Sequence, residues 1–486
     1  MGLYCTTYKK TNVIIFILSE HLICIPDYFR TKKEPKSVWA WLVFLYCLPI
    51  PAAVFYLFLG TDMQKKKMFR LKEAGDRLQN AVRKQEKYVK DWDFEIHYAQ
   101  LLEYKDLILY NLKCGGNVLT DGNDIQIFTA GADKFQCLIQ DLESAKESIH
   151  MQYYIIKDDV VFGTIEKILK QKAKDGIKVR ILLDGMGCRG LGKKKRNALQ
   201  KAGVETAIFF PPAFGRLHLK INYRNHRKIV VIDNHIGYVG GFNIGKEYVG
   251  LDSKFGNWRD THLRIEGAGV FSLQLRFLMD YNYASGQNIS LDQQYLSNIP
   301  SKNGNSILQI ITCGPDSSIP LIRNNYLRLI HKAKQSICIQ TPYFVPDEAV
   351  MSALLIAIQS GIDVSVMIPC KPDHMFVYWA SLSYAGELIL AGASCYAYQK
   401  GFLHAKGMIV DNEVYCYGTA NMDIRSFSLN FEVNAVVYGK EDANRMKQAF
   451  CKDLEDCIRI TAENYEQRTW QIRFKESISR LLAPIL

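Results

Sequence analysis

The sequence predicts an α/β protein built from two pseudo-symmetric repeats, mixed sheets flanked by helices, that share one active site and follow an N-terminal transmembrane anchor. Three observations carry this reading. The pattern H-x-K-x4-D-x6-G-x-x-N occurs twice, beginning at His226 and at His404, and its polar positions keep one offset of 178 (404 against 226, 406 against 228, 411 against 233, 421 against 243). The likeness extends upstream: Ser148-Ile149-His150-Met151-Gln152 is echoed by Ser336-Ile337-Cys338-Ile339-Gln340, Gly176-Ile177-Lys178-Val179 by Gly361-Ile362-Asp363-Val364, and Ala202-Gly203 by Ala391-Gly392. The segment 38–60 contains no charged residue.

Taken in order, the chain first offers an apolar run at 13–25, interrupted by Glu20 and His21. Its length leaves two readings open, a poor second span or an interfacial segment, and no small-residue cleavage site follows it to suggest a secretory signal. The segment 38–60 is long enough to cross a hydrocarbon core of about 30 Å at about 1.5 Å per residue, and Trp39 and Trp41 suit an interface. Pro49 and Pro51 would kink such a helix, which a membrane tolerates. Residues 1–60 are therefore expected to be a membrane anchor. Residues 61–115 read as a charged, partly helical connector closed by Gly115-Gly116. Two repeats follow, at 116–296 and 297–486, each ordered strand, helix, strand, helix, strand and then a motif-bearing hairpin.

Side-chain alternation fixes the geometry expected within each motif. Along a strand, residues two apart share a face, so His226 and Lys228 project together, as do His404 and Lys406. Asp233 lies seven positions beyond His226, an odd number. Thus Asp233 and Asp411, although members of the candidate catalytic set His226, Lys228, Asp233, His404, Lys406 and Asp411, should turn away from the His and Lys. Asp233-Asn234 and Asp411-Asn412 carry turn chemistry between β-rich runs, so each motif should be a hairpin that returns Asn243 or Asn421 toward its own His-Lys face.

Two His, two Lys and two Asn around one cleft suit a phosphodiester. One imidazole would attack phosphorus and become phosphorylated, while the other protonates the departing alcohol and deprotonates the incoming one. Lys228, Lys406, Asn243 and Asn421 would bind the non-bridging oxygens, the place a metal takes in many phosphoryl-transfer sites. A nucleophilic imidazole also needs a partner on its other nitrogen. The candidates are Asp260 beyond the first motif and Glu432 beyond the second, each expected beside its own His, with an inserted loop accounting for the longer spacing to Asp260.

The ten His and thirteen Cys show no C-x2-C or H-x3-H spacing, so neither a metal site nor a cofactor is expected. The cysteines, among them Cys47, Cys137, Cys338 and Cys416, sit mostly in apolar runs and read as reduced core thiols of a cytosol-facing protein. With 48% hydrophobic and 23% charged residues, the chain has material for a large two-lobed core as well as an anchor.

With these residues in place, the chain resembles the phospholipase D superfamily and, within it, the bacterial cardiolipin synthases. The narrower likeness rests on Asn222-Tyr223-Arg224-Asn225, Trp258-Arg259-Asp260-Thr261-His262, Gln340-Thr341-Pro342-Tyr343-Phe344, Asn421-Met422-Asp423-Ile424-Arg425-Ser426-Phe427 and the terminal Arg480-Leu481-Leu482-Ala483-Pro484-Ile485-Leu486. It extends from about Trp39 onward. The resemblance implies phospholipase D-type repeats and a phosphohistidine, with the first-motif His226 as nucleophile and His404 as general acid and base. It also implies condensation of two phosphatidylglycerols into cardiolipin with release of glycerol. The family commonly begins with two membrane spans, a pattern from which the interrupted run at 13–25 departs.

Charge bears on partners and placement. The net charge of +12 suits a surface held against anionic membrane lipid, where each basic residue contributes roughly 1 kcal/mol. Lys65, Lys66, Lys67, Arg70 and Lys72 after the span place the catalytic part on the cytoplasmic side of a bacterial cell membrane, although Arg30, Lys32, Lys33 and Lys36 precede it. A nuclease would use the same motifs on DNA, but a span and two complete halves in one chain favour a lipid over a nucleic acid. A scaffold would be expected to have lost a His or Lys. Water and phosphatidylethanolamine stay open as alternative acceptors of the phosphatidyl group.

Overall fold

The structure is a computed structural model that describes residues 43, 44, 46–48, 51, 82–91, 94, 98–211, 222–289 and 304–483. One compact unit comprises 68–211, 224–314 and 319–486 and holds both repeats; a second comprises 1–67, 212–223 and 315–318. In the second unit Val43, Phe44, Tyr46 and Cys47 are helical. Apart from such scattered positions, the span expected at 38–60 and the run at 13–25 lie outside the described residues. Among the described residues no helix is long and apolar enough to cross a membrane.

The strands of the first repeat are β1 (Leu119–Ala130), β2 (Ser148–Tyr153), β3 (Lys178–Asp184), β4 (Glu205–Phe209), β5 (Arg224–Asn225), β6 (Ile229–Ile232), β7 (Ile236–Gly240) and β8 (Asn257–Glu266). Those of the second are β9 (Ser306–Cys313), β10 (Ser336–Gln340), β11 (Phe344–Val345), β12 (Asp363–Pro369), β13 (Ser394–Tyr398), β14 (Gly401–Leu403), β15 (Gly407–Val410), β16 (Val414–Gly418), β17 (Met422–Asp423), β18 (Asn430–Tyr438) and β19 (Cys457–Ile460). Their pairings give two sheets that superimpose in order. The first runs β4-β3-β2-β6-β7-β8-β1 and the second β13-β12-β10-β15-β16-β18-β9, with β19 added beyond β13. In each, three parallel strands meet an antiparallel hairpin, so both sheets are mixed. An antiparallel pairing of β1 with β9 joins them.

The sequence echoes mark the punctuation of these units. Asp159 and Asp347 cap the helices Val160–Lys174 and Glu348–Gln359, their carboxylates accepting from the backbone N–H groups of Val161 and Val350 at 3.0 Å. Gly176 and Gly361 then leave those helices at the same left-handed φ of 86°, a conformation glycine adopts without steric cost.

The expected connector 61–115 does more than connect. From Val89 onward many of its apolar residues, including Leu101, Leu107 and Ile108, are buried in one core with Ile311, Ile322 and Ile337 of the second repeat. Asn111, on the helix Lys105–Gly115, donates to Gln309 of β9 at 3.1 Å. Of the cysteines expected in the core, Cys338 and Cys416 are buried and Cys137 half-buried, whereas Cys47 is exposed.

Candidate active site

The two hairpins β6-β7 and β15-β16 turn at Asp233-Asn234 and Asp411-Asn412, all four residues at φ between 51° and 55°. Two successive left-handed residues fit the twist of a two-residue hairpin loop. The Asp carboxylates are consumed there. Asp233 accepts the backbone N–H groups of Lys146, Glu147 and Ser148 at 2.7–2.8 Å, and Asp411 those of Lys334, Gln335 and Ser336 at the same distances. Asp233 and Asp411, counted above in the candidate catalytic set, are therefore corrected to anchors that tie each turn to the start of β2 or β10, held there by the turn itself and not by alternation along a strand.

His226 and Lys228 stand just before β6, and His404 and Lys406 just before β15, so neither pair lies on the strand where it was expected; all four are buried. Lys228 Nζ donates to the carbonyl of His226 at 2.7 Å, and Lys406 Nζ donates to the carbonyl of His404. Each lysine thus folds back over its own histidine. The ring of Tyr154 packs edge-on against His226 with centroids 4.9 Å apart, and the Trp258 ring lies 5.0 Å from that of His404.

The carboxylates depart from expectation. Glu432 does not serve His404: both of its oxygens lie 3.0 Å from Nδ1 of His226, while Asp260 Oδ2 lies 2.5 Å from Nδ1 of His404. The cause is strand pairing between the repeats. Short β5, leading to His226, runs parallel to β18 with Arg224 opposite Asn430 and Asn225 opposite Phe431, and β14, leading to His404, runs parallel to β8 with Leu403 opposite Arg259. The next steps of these ladders place His226 by Glu432 and His404 by Asp260. Each histidine is oriented by the other half.

The two pairs differ in detail. At the place of Gly241 in the first repeat, the second has Thr419, whose hydroxyl donates to Glu432 Oε2 at 2.5 Å, while Asn430 donates to Oε1 at 3.1 Å. Gly241 instead lets Asp260 approach, since a Cβ there would collide with that carboxylate. Asp260 accepts the Thr261 backbone N–H at 2.8 Å and lies 3.8 Å from Lys406 Nζ, which is also 2.7 Å from His404 Nδ1.

Burial governs the titration of this cluster. Desolvation pushes Lys228 down to about 7 and Lys406 down to about 8, against the opposing pull of the two carboxylates. His404 falls to about 4 through burial and the charge of Lys406, and His226 is lowered by burial against the pull of Glu432. Burial alone would raise both carboxylates, but Lys406 and His404 hold Asp260 below its ordinary range, and His226 does the same for Glu432.

Asn243 and Asn421 are buried but locally engaged. Asn243 accepts the Ile155 backbone N–H and donates to the Tyr248 hydroxyl, both at 3.1 Å; Asn421 donates to Asp423 at 3.1 Å, and its Oδ1 has no partner among the described residues. Among the described residues, no group of three or more His, Cys, Asp or Glu side chains is arranged to hold a metal.

Several supports were invisible in the motif pattern. Arg227, between the first His and Lys, is buried against Asp280 at 2.6 Å and also donates to the carbonyls of Glu432 and Cys313. Arg259 makes the corresponding pair with Asp453. Gln152 donates to Asp280 and Gln340 to Asp453, each at 2.7 Å. The matched positions of Gln152 and Gln340 in buried strands were the available signal.

The geometry agrees with what the chain is similar to. The family model described as cardiolipin synthase, phospholipase D-like domain, matches residues 138–255 and 326–454. A cardiolipin synthase of Oceanobacillus iheyensis is 46% identical, with 100% of both chains covered, and the major cardiolipin synthase of Bacillus subtilis is 44% identical, over 97% of this chain and 98% of that one. In fold, the chain is similar to the crystal structure of a phosphatidylserine synthase from Haemophilus influenzae, with a TM-score of 0.57 at 15% identity, covering 74% of this chain and 95% of that one. Duplicated hairpins, crossed carboxylates and full-length relatives converge on one assignment: the chain belongs to the cardiolipin synthase family of phospholipase D-like proteins.

Proposed function

We propose that the chain makes cardiolipin by moving a phosphatidyl group from one phosphatidylglycerol to the terminal hydroxyl of another, releasing glycerol. The observation that carries the reading is the pair of buried imidazoles, each with a carboxylate from the opposite repeat on Nδ1. On His226 a proton on Nδ1 that donates to Glu432 leaves Nε2 with its lone pair, whereas His404 enters the first step protonated on both nitrogens, its charge balanced by Asp260 and the bound phosphodiester. In the first step Nε2 of His226 attacks phosphorus, the bond from phosphorus to the glycerol oxygen breaks, and His404 gives that oxygen a proton. In the second, His404 takes the proton of the incoming hydroxyl, the new P–O bond forms, and the P–N bond to His226 breaks. Lys228 and Lys406 neutralise the phosphate oxygens, with Asn243 and Asn421 at the edge of the site. His226 is favoured as nucleophile because its Nδ1 faces Glu432 alone, whereas that of His404 is shared between Asp260 and Lys406.

The same reading puts a membrane anchor at 38–60 in a bacterial cell membrane, with the repeats on the cytoplasmic side where lysines follow the span. Purified protein given labelled phosphatidylglycerol should yield cardiolipin and glycerol; phosphatidic acid as sole product would make water the acceptor and overturn the transfer. Acid-labile label should map to His226. His404→Ala should still form the adduct from a substrate whose leaving group needs no proton, and His226→Ala should form none; label on His404 in the wild-type protein would reverse the roles.

A further inference from the structure

The C-terminal helix Trp470–Leu482 is amphipathic the wrong way round for a helix packed on a soluble protein. Its buried residues include Glu476 and Ser479, while Trp470, Phe474, Ile478 and Leu481 are exposed, the first, second and fourth at 72%, 60% and 77%. At about 100° per residue these four fall within an arc of about 80°, opposite the buried face. Large apolar side chains that share one exposed stripe ask for a partner, as scattered ones do not.

The surroundings indicate which partner. Arg473, bound to the carbonyls of Glu466 and Arg468, and Arg480, paired with Glu387 at 2.6 Å, flank the stripe on one side and Lys475 on the other, and the one acid of the helix, Glu476, is turned inward onto Arg468 at 2.8 Å. Cations beside an apolar stripe suit an anionic bilayer surface, where their stems lie along the apolar layer and their heads reach phosphates. The helix also packs on one that leads toward the catalytic region. Lys475 lies over the ring of Trp379 at 5.1 Å, in the helix Met375–Ala391, whose first residues Met375 and Phe376 are likewise exposed. Just before them, Asp373 accepts from Tyr343 and acts on the charge of Lys406. Residues 470–482 lie beyond the segment matched by the family model.

We infer that the helix Trp470–Leu482 lies in the headgroup region of an anionic membrane, with Trp470, Phe474, Ile478 and Leu481 inserted, and seats the catalytic repeats on the lipid that holds their substrate. The inference rests on the proposed lipid chemistry only for the identity of that lipid, so its test reads contact and not turnover. The full chain is reconstituted into phosphatidylglycerol–phosphatidylcholine vesicles with and without brominated acyl chains, and tryptophan emission is recorded for the wild type and for Trp470→Phe, which keeps the stripe apolar. Bromine should quench a component of the wild-type emission that is absent in Trp470→Phe. Phe474→Glu, with Trp470 retained, should weaken that contact roughly tenfold, the scale set by one large apolar side chain. Equal quenching in wild type and Trp470→Phe would overturn the inference, as it would if a second copy or another segment of the chain covers the stripe. So would full quenching in Phe474→Glu. Cardiolipin formation assayed on the same vesicles reports separately on the proposed function.

Discussion

Glu432 and His226 lie 206 positions apart in the chain, yet both carboxylate oxygens of the one sit 3.0 Å from Nδ1 of the other. This pairing makes the two carboxylates separable by the step they serve. Glu432→Gln should lower turnover by about 100- to 10,000-fold and suppress adduct formation even with a good leaving group. Asp260→Asn should cost a similar factor on phosphatidylglycerol but still form the adduct when no proton is needed. Adduct yield by rapid quench decides it; the reverse pattern would return each carboxylate to its own repeat.

The pH dependence follows from the buried cations. Binding an anionic phosphodiester favours charged lysines, so it should raise their pKa values from about 7 for Lys228 and about 8 for Lys406 and take up protons. The sign is definite: kcat/KM should fall as pH rises through 7 to 8, where the free enzyme loses these charges. On the acid side His226 must be neutral to attack, and burial holds its pKa below the usual 6.5, so that limb should lie below pH 6.5. A profile still rising above pH 8, or an acid limb above 6.5, would contradict this account.

Asp233→Asn tests the anchor. An amide replaces the carboxylate that receives three backbone N–H groups, and its NH2 end would face one of those donors. The expected loss is about 1–3 kcal/mol of stability, read as a lower melting temperature, with turnover of the folded fraction nearly unchanged. Asp411→Asn should behave alike. Normal melting with abolished turnover would restore these residues to the chemistry.

His226→Ala, His404→Ala, Lys228→Ala and Lys406→Ala should each remove nearly all activity. Their burial makes some loss of stability expected too, so activity is to be compared at temperatures well below each variant's melting point.

Activity should also survive chelation, because Nδ1 of each histidine is engaged by a carboxylate and the lysines supply the positive charge. Turnover in excess EDTA tests this; loss restored by a divalent ion would sink it.

Gly241→Thr copies the second repeat's Thr419 into the first. It should displace Asp260, because even a Cβ collides with that carboxylate, and so disable His404 while leaving Glu432 and His226 in place. Adduct formed only from a substrate whose leaving group needs no proton, with little transfer, is the expected signature.

Much of this architecture was legible in the sequence because a duplicated pattern constrains itself. The His-x-Lys spacing kept each lysine with its own histidine, although both precede the strand on which they were expected, the Asp-Asn pairs marked the hairpin turns, and the repeated Gly176 and Gly361 stand at matching helix ends. What stayed hidden is non-local. Nothing in the spacing of Asp260 or Glu432 reveals that β8 pairs with β14 and β18 with β5, so proximity in sequence suggested the wrong histidine for each. Arg227 and Arg259 escaped for a related reason: their partners Asp280 and Asp453 stand on helices beyond the motifs, and charged residues near a strand end read equally well as solvated. Residues 61–115 looked like a linker because charged residues are dense in their first part, from Asp62 to Glu95, while apolar side chains among and after them enter a core.

The exchange of strands between repeats also has a consequence for the timing of synthesis. As the chain leaves the ribosome, His226 emerges long before Glu432 exists. Until β18 has been made and laid beside β5, the imidazole proposed to attack phosphorus lacks the group that sets its tautomer. The reactive centre is thereby armed by completion of the protein, and a truncated product ending before residue 430 would carry a whole first motif and no competent nucleophile.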